Sequence, residues 1–291
     1  MTSLFGISTI WHTGMALYRR MWWLLPSVVL CGALESLGWS ARNWSHSEPN
    51  NLAPYQIQII ATIIAPTPLL AATFVIFGEI IRRTGQIYSR LSPRNYTLLF
   101  CSFDVISLVV QGLGGGLAAT ADPLTNGRDP ETGARVMLGG IAFQLAVIVL
   151  YAICAVEFVV RYVKDWPLRA VKTVDSQASL QISGRGELTK KLKVMLCALA
   201  FSTIVLFIRA VYRLIELADG WNGRIIRTEV YFSAPSYFSF PLDAILTGRL
   251  ASTDVLDGTM VVLAIYTLNF IHPACYVFTS ESGTSRDEEK A

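Results

Sequence analysis

The stretch LKVMLCALAFSTIVLFIRAVYRLIELA, residues 192–218, is apolar over enough length to cross a lipid bilayer. A membrane-spanning helix needs roughly 20 mostly apolar residues. Its charged residues near the end are Arg209, Arg213 and Glu216, spaced so that all three lie on one face of a helix. The stretch therefore predicts a membrane helix that carries one charged face.

Five further stretches have the same character. They cover approximately residues 21–39, 55–81, 97–120, 135–163 and 255–279. The chain of 291 residues is 53% hydrophobic and 15% charged, with a mean hydropathy of +0.46, whereas soluble domains carry about 25% charged residues. We therefore predict an all-α, polytopic transmembrane helix bundle with six full spans, which forms a single integral membrane domain over 1–291.

The basic residues between the spans predict the orientation of the bundle. Loops 82–96 and 161–193 carry four and eight lysines and arginines, whereas loops 40–54 and 121–134 carry one each. Basic loops stay on the cytosolic side of a membrane. We expect a cytosolic loop at 161–193 and a cytosolic tail at 280–291. The loops expected on the outer side are 40–54, 121–134 and 219–254.

Charged residues gather at the predicted outer ends of the spans. A charged group in the bilayer costs about 2.5–3.5 kcal/mol on insertion scales, so such groups usually face the interior of a bundle. One interpretation is an ion-pair network that fixes helix packing, and another is a polar pocket that binds a headgroup or an amine. The sequence leaves both open for the seven residues Glu35, Arg42, Arg209, Arg213, Glu216, Glu229 and Asp257.

A second set of polar residues lies within the third and fourth spans. Asp104, Gln111 and Gly115 share one face of the third span, and Gln144 lies within the fourth. Buried amides can hydrogen-bond between helices, or they can line a polar path through the bundle. The glycine run at 112–116 also permits close helix approach.

Several classes of protein are disfavoured by what the sequence lacks. The three histidines fall on different sides of the predicted membrane, so we expect no metal site. We find no nucleophile elbow, P-loop or dinucleotide motif, and we expect neither an enzyme nor a bound cofactor. The small net charge of +3 gives no reason to expect a nucleic-acid partner.

Four long stretches, in order along most of the chain, resemble the fungal RTA-like family. They are ALESLGWSAR (33–42), IIAPTPLLAATFVIFGEIIRR (63–83), FDVISLVVQGLGGGLA (103–118) and IRAVYRLIELADGWNGRIIRTEVYF (208–232), and a His-Pro pair closes the last span. The family comprises seven-helix fungal membrane proteins of the lipid-translocating exporter or 7-aminocholesterol-resistance type. The resemblance implies efflux or translocation of sphingoid bases and other lipids, and resistance to toxic amphiphiles.

The resemblance also implies a set of site residues and two departures from the family. The residues that match the family motif, which we predict to bind substrate, are Glu35, Arg42, Asp104, Gln111, Gln144, Arg209, Arg213, Glu216, Glu229, Asp257 and His272. Residues 1–11 match only the tail of the family's first helix, so we expect six full spans plus a truncated first helix of a seven-helix family. Residues 233–254 are a predicted insertion, and we match the family aspartate to Asp257 rather than Asp243.

Three functions remain open at this point. The first is translocation or efflux of lipids or amphiphiles, with membrane lipids and an amphiphilic small molecule as partners. The second is a seven-helix lipid-stress receptor that signals through loops 82–96 and 161–193, and the third is an intramembrane enzyme that uses Glu216 and Glu229. We expect a multi-pass membrane location, with the plasma membrane favoured over internal membranes, and the sequence does not indicate an oligomeric state.

Overall fold

The computed structural model describes residues 1–47, 52–121, 129–168, 186–218 and 253–278. These ranges contain helices and short turns and no strand. Six helical stretches are long and apolar enough to cross a membrane. The predicted polytopic helical bundle with six full spans is therefore confirmed, and the chain is an integral, multi-pass membrane protein.

Nine α-helices lie in the described ranges. A 3-10 turn at Trp22–Leu24 and a π turn at Leu25–Val29 continue directly into the second helix. The helices are α1 (Thr2–Tyr18), α2 (Leu30–Ser47), α3 (Leu52–Ile64), α4 (Pro66–Thr84), α5 (Pro93–Ala119), α6 (Pro130–Val163), α7 (Lys190–Ala218), α8 (Thr253–Phe270) and α9 (Pro273–Tyr276).

The helices reach further into the predicted loops than the sequence indicated. The prediction of a loop over 40–54 was wrong for most of these residues, because α2 continues to Ser47 and α3 begins at Leu52. At their starts, α5 and α6 have a proline at the first helical position and a side-chain cap from Ser92 or Asp129. Hydropathy misses these polar first turns, which proline and the cap stabilise.

Consecutive helices pack against one another, and the last long helix closes the bundle. Helix α8 packs on both α7 and α1, while α1 also packs on α2. Helix α1 covers residues 2–18, so it is longer than the truncated first helix predicted at 1–11. With 17 residues, α1 is somewhat shorter than the roughly 20 that a full span needs.

Two glutamates each pair with two arginines at the arginine-rich ends of the helices. Glu79 bonds Arg82 and Arg83, and Glu157 bonds Arg90 and Arg161. We call this end of the bundle the inner end and the opposite end the outer end, following the predicted orientation. Of the predicted segments, residues 169–185 of the loop, residues 233–252 of the insertion and the tail 280–291 lie outside the described residues.

Helices α5 and α6 pack with their backbones in contact, and glycine makes this packing possible. A Cβ atom on Gly114 would lie 2.4 Å from the backbone nitrogen of Met137, and one on Gly133 would lie 2.3 Å from that of Ala118. These distances leave no room for any side chain, so the two backbones touch. The close approach that the glycine run predicts is confirmed at Gly114, whereas Gly116 has open space around it.

We predict that Gly133→Ala destabilises the protein, because its new methyl group meets backbone atoms that cannot move aside. Overpacking of this kind costs about 1–3 kcal/mol. Thermal unfolding of the protein in lipid nanodiscs, followed by tryptophan fluorescence, measures the effect. The matched control is Gly139→Ala on the same helix, where nothing lies within 4 Å of the added atom. Equal melting temperatures for the two variants contradict the close contact.

Candidate functional site

A proline break divides the second span and leaves one backbone carbonyl without its normal donor. Helix α3 ends at Ile64 and α4 begins at Pro66. Proline has no N–H, so the carbonyl of Thr62, four residues earlier, loses its intrahelical hydrogen bond. Nη2 of Arg209 donates to this carbonyl at 2.6 Å. Backbone groups in a membrane must be satisfied within the protein, so the break supplies the acceptor that holds Arg209.

Both arginines of α7 reach one carboxylate on α8. Nε of Arg209 lies 2.9 Å from Oδ1 of Asp257, and Nη2 of Arg213 donates to Oδ2 of the same residue at 2.5 Å. Nη1 of Arg213 also donates to Oε2 of Glu216 at 2.7 Å. All four side chains are buried. We call Arg209, Arg213, Glu216 and Asp257 the ionic cluster; these are four of the seven charged residues that the sequence places at the outer ends of the spans.

A third carboxylate lies beside the ionic cluster. Glu35 is 0% exposed and lies near Arg209, Arg213 and Asp257 without forming an ion pair with either arginine. Nε1 of Trp39 donates to Oε2 of Glu35 at 3.2 Å, whereas Oε1 has no hydrogen-bond partner among the described residues. Glu35 is therefore the least satisfied member of the outer group of charges.

Trp39 closes the space around Glu35. A Cβ atom on Gly258 would lie 2.4 Å from Cζ2 of Trp39, so the indole ring rests on the backbone of α8 next to Asp257. The guanidinium of Arg42 lies 5.5 Å from the centre of the Trp39 ring. Arg42 therefore contacts Trp39, which in turn donates to Glu35. Glu229, the remaining predicted outer charge, lies outside the described residues.

The predicted amides join three helices in a row of hydrogen bonds. Nε2 of Gln111 donates to Oγ of Ser107 at 2.7 Å and to Oε1 of Gln144 at 2.9 Å. Nε2 of Gln144 donates to Oγ1 of Thr67 at 3.0 Å, and Ser107 donates to the carbonyl of Gly140 at 2.9 Å. We call Ser107, Gln111, Gln144 and Thr67 the amide row. It ends at Thr67, between the two prolines of the broken span.

A small cavity separates the amide row from the ionic cluster. Its volume is about 20 Å³, and Gln144, Arg209 and Arg213 supply the polar part of its lining beside Pro66. A cavity needs about 10–15 Å³ on this measure to hold a water molecule, together with polar partners. The cavity can therefore hold one water molecule between the arginines and Gln144. A water there joins the amide row and the ionic cluster into one polar region.

Asp104 and His272 lie apart from the ionic cluster. Asp104 is buried on α5, one helical turn before Ser107. His272 lies just beyond the opposite end of α8 from Asp257, about 20 Å away at the helical rise of 1.5 Å per residue. There its ring lies 5.3 Å from that of His12, and its Nδ1 accepts from the backbone N–H of Ala274 at 3.2 Å. His272 caps α9 and is not part of the ionic cluster.

Sequence reasoning missed several groups that complete the site. Thr62 contributes a backbone carbonyl, and the signal for it is the proline four residues later. Thr67 and Ser107 contribute hydroxyls, and Trp39 contributes both a hydrogen bond and a cover. Apolar spans contain many such residues, so no local pattern marks these three.

Comparison with known proteins assigns the family. The sequence profile described as "RTA1 like protein" matches residues 28–234, which include every helix of the bundle from α2 to α7. The chain belongs to the RTA1-like family. The expected resemblance to RTA-like fungal membrane proteins is thereby confirmed.

Three relatives of this RTA1-like protein come from Saccharomyces cerevisiae. The sphingoid long-chain base transporter RSB1 is 28% identical over 97% of this chain and 72% of its own length. Protein RTM1 is 28% identical over 73% of this chain and 60% of its own length. Protoporphyrin uptake protein 1 is 26% identical over 73% of this chain and 61% of its own length. No solved structure matches the chain.

We predict that Asp257→Asn destabilises this RTA1-like protein, because it removes the carboxylate that both buried arginines share. Breaking a buried ion pair on one side costs about 3–5 kcal/mol. The apparent melting temperature in nanodiscs should fall by several degrees. The control is Glu131→Gln, which breaks a pair with Arg135 whose side chain is 77% exposed; exposed pairs contribute about 0–1 kcal/mol. A melting temperature of Asp257→Asn equal to that of the control contradicts a cohesive ionic cluster.

Proposed function

We propose that this protein translocates long-chain amines of the sphingoid-base type, or amphiphiles of similar chemistry, across a fungal membrane. A relative that aligns over 97% of the chain is named a sphingoid long-chain base transporter. Another relative is named an uptake protein, which favours transport over catalysis. We propose the plasma membrane as the location, since an exporter of toxic amphiphiles acts at the cell boundary.

The observation that carries the proposal is Glu35, a buried carboxylate at the outer end that forms no ion pair with the described residues. The buried group contains two guanidiniums, Arg209 and Arg213, and three carboxylates, Glu35, Glu216 and Asp257. Asp257 and Glu216 are bonded to the arginines, so Glu35 is the carboxylate left without a basic partner in the cluster. A buried carboxylate is stable only when it is paired or neutral. The ammonium group of a long-chain amine supplies the missing positive charge.

The long apolar tail of such a substrate matches the surroundings of the bundle. Large apolar side chains such as Val105, Ile106 and Leu113 of α5 are exposed on the outside of the structure. A tail can remain in lipid beside this surface while the headgroup enters between helices. Because Glu35 is fully buried beneath Trp39, we propose that the headgroup enters when the contact between Trp39 and Gly258 opens.

The test is protein-dependent flux in proteoliposomes of a fluorescent long-chain amine, compared with its N-acetylated derivative. The derivative keeps the tail and the hydroxyl groups but carries no positive charge. We expect the wild type to move the amine at least tenfold faster than the derivative, and Glu35→Gln to lose this preference. The matched control Glu131→Gln should behave as the wild type.

Two results speak against the proposal. Undiminished preference for the amine in Glu35→Gln excludes Glu35 as the headgroup partner. Absence of any protein-dependent flux, with a folded wild type, excludes translocation of this substrate and favours a lipid receptor.

A further inference from the structure

Asp104 is a buried acid that the outer site does not use. Its side chain is 2% exposed, and neither carboxylate oxygen has a hydrogen-bond partner among the described residues. Structural carboxylates in this protein are bonded to arginine, as Glu79, Glu157 and Asp257 show. A fully buried carboxylate with no partner cannot stay charged, because burial penalises the ionised form.

No charged group on the neighbouring helices compensates Asp104. Helix α5 packs on α6, α4 and α3. Residues 136–150 of α6 and 66–78 of α4 contain no titratable side chain, and Tyr55 near the outer start of α3 is the single one in that helix. On its own helix, Cys101 lies one turn away and Tyr96 two turns away, both toward the inner end. Asp104 is therefore a buried acid with no charged group beside it on these stretches of the neighbouring helices.

The inner side of Asp104 is sealed by aromatic rings. Phe100, one turn before Asp104, lies 5.2 Å from Phe74 between ring centroids, and Phe74 lies 4.7 Å from Tyr151. Phe77 continues the contact toward the inner end, 5.7 Å from Phe158. Along α5, this aromatic packing lies between Asp104 and the inner-end ion pairs.

The outer side of Asp104 is polar. Ser107 and Gln111 follow Asp104 on the same buried face of α5 and begin the amide row. The row leads through Gln144 to the cavity of about 20 Å³ beside Arg209 and Arg213. Asp104 thus has hydrogen-bonding groups on its outer side and aromatic packing on its inner side. A proton site that is reached only from the outer side requires this arrangement.

We propose that Asp104 is a proton-binding site that couples the movement of a proton to translocation, with access from the outer side through the amide row. This inference rests on the proposed transport function. The reaction is protonation of the Asp104 carboxylate, which forms one O–H bond and removes one negative charge. Loss of this proton leaves an anion that requires donors.

The nearest donor on the same helix face explains how the proton acts on the bundle. Ser107 now donates to the carbonyl of Gly140 across the contact between α5 and α6. Charged Asp104 attracts the hydroxyl of Ser107 and the amide of Gln111, which pulls them away from α6 and from Gln144. Deprotonation of Asp104 thereby weakens the contact between α5 and α6. It also weakens the hydrogen bond from Gln144 to Thr67, which lies beside the proline break in the second span.

The first test is flux of the fluorescent long-chain amine with and without a pH gradient that is acidic on the outer side. We expect the gradient to accelerate wild-type flux at least fivefold. Asp104→Asn should keep slow downhill flux and lose the response to the gradient, since asparagine cannot exchange a proton. Asp129→Asn is the matched control, because asparagine caps a helix as well as aspartate does, and it should respond as the wild type.

The second test does not depend on transport. Infrared spectra of the protein in lipid should show a carboxyl C=O band for a protonated acid in an apolar site. This band should be absent in Asp104→Asn and present in Asp129→Asn. If Asp104→Asn fails to fold, Asp104→Glu replaces it in both tests and should keep the band, shifted in frequency, and the response to the gradient.

The outcomes separate this inference from the proposed function. Wild-type flux that ignores the gradient, or an Asp104→Asn variant that responds as the wild type, overturns the proton site while translocation stands. If the wild type shows no flux at all, translocation fails and the infrared band alone decides the proton site. A carboxyl band unchanged in Asp104→Asn overturns it.

Discussion

The hydrogen bond from Arg209 to the carbonyl of Thr62 is the interaction on which the outer half of the bundle depends. Pro66 frees that carbonyl, and the membrane provides no water to satisfy it. The arginine therefore has a fixed acceptor at the centre of the bundle, from which it reaches Asp257 on the last long helix. One guanidinium thus connects the broken second span, α7 and α8.

Charge balance then distinguishes a structural network from a site that acts on a ligand. A purely structural cluster would match each carboxylate with a basic group, as the pairs at the inner end do. At the outer end Glu35 remains with one indole donor, and deeper in the bundle Asp104 remains with no partner in the described ranges. In the two proposals these acids have complementary uses, one for a cationic headgroup and one for a proton. The amide row and its cavity lie between them.

Much of this arrangement can be predicted from sequence, for identifiable reasons. Hydropathy over about 20 residues locates the six spans because the bilayer has a fixed thickness, and helical spacing places Arg209, Arg213 and Glu216 on one face. It also places Asp104 and Gln111 together. The family aspartate was matched to Asp257, and both arginines do reach that residue.

What sequence did not predict depends on contacts between distant helices. The carbonyl of Thr62 accepts from Arg209, and the hydroxyl of Thr67 accepts from Gln144. Both bonds depend on the register of α3 and α4 against α7 and α6. Trp39 acquires its role because Gly258 lets the ring rest on α8. His272 was matched by resemblance alone, and the structure places it beyond the inner end of α8, beside His12 and away from the ionic cluster. Family position therefore identifies a residue without giving its depth in the membrane.

In the proposed transport function, a cationic headgroup enters the outer charged group beneath Trp39. Photo-crosslinking with a long-chain amine that carries a diazirine next to the nitrogen, followed by mass spectrometry, tests it most directly. We expect adducts on α2 around Glu35 and Trp39 and on α8 around Gly258, and we expect unlabelled amine to compete with them. Adducts confined to lipid-facing residues such as Val105 and Ile106, unaffected by competitor, would contradict it.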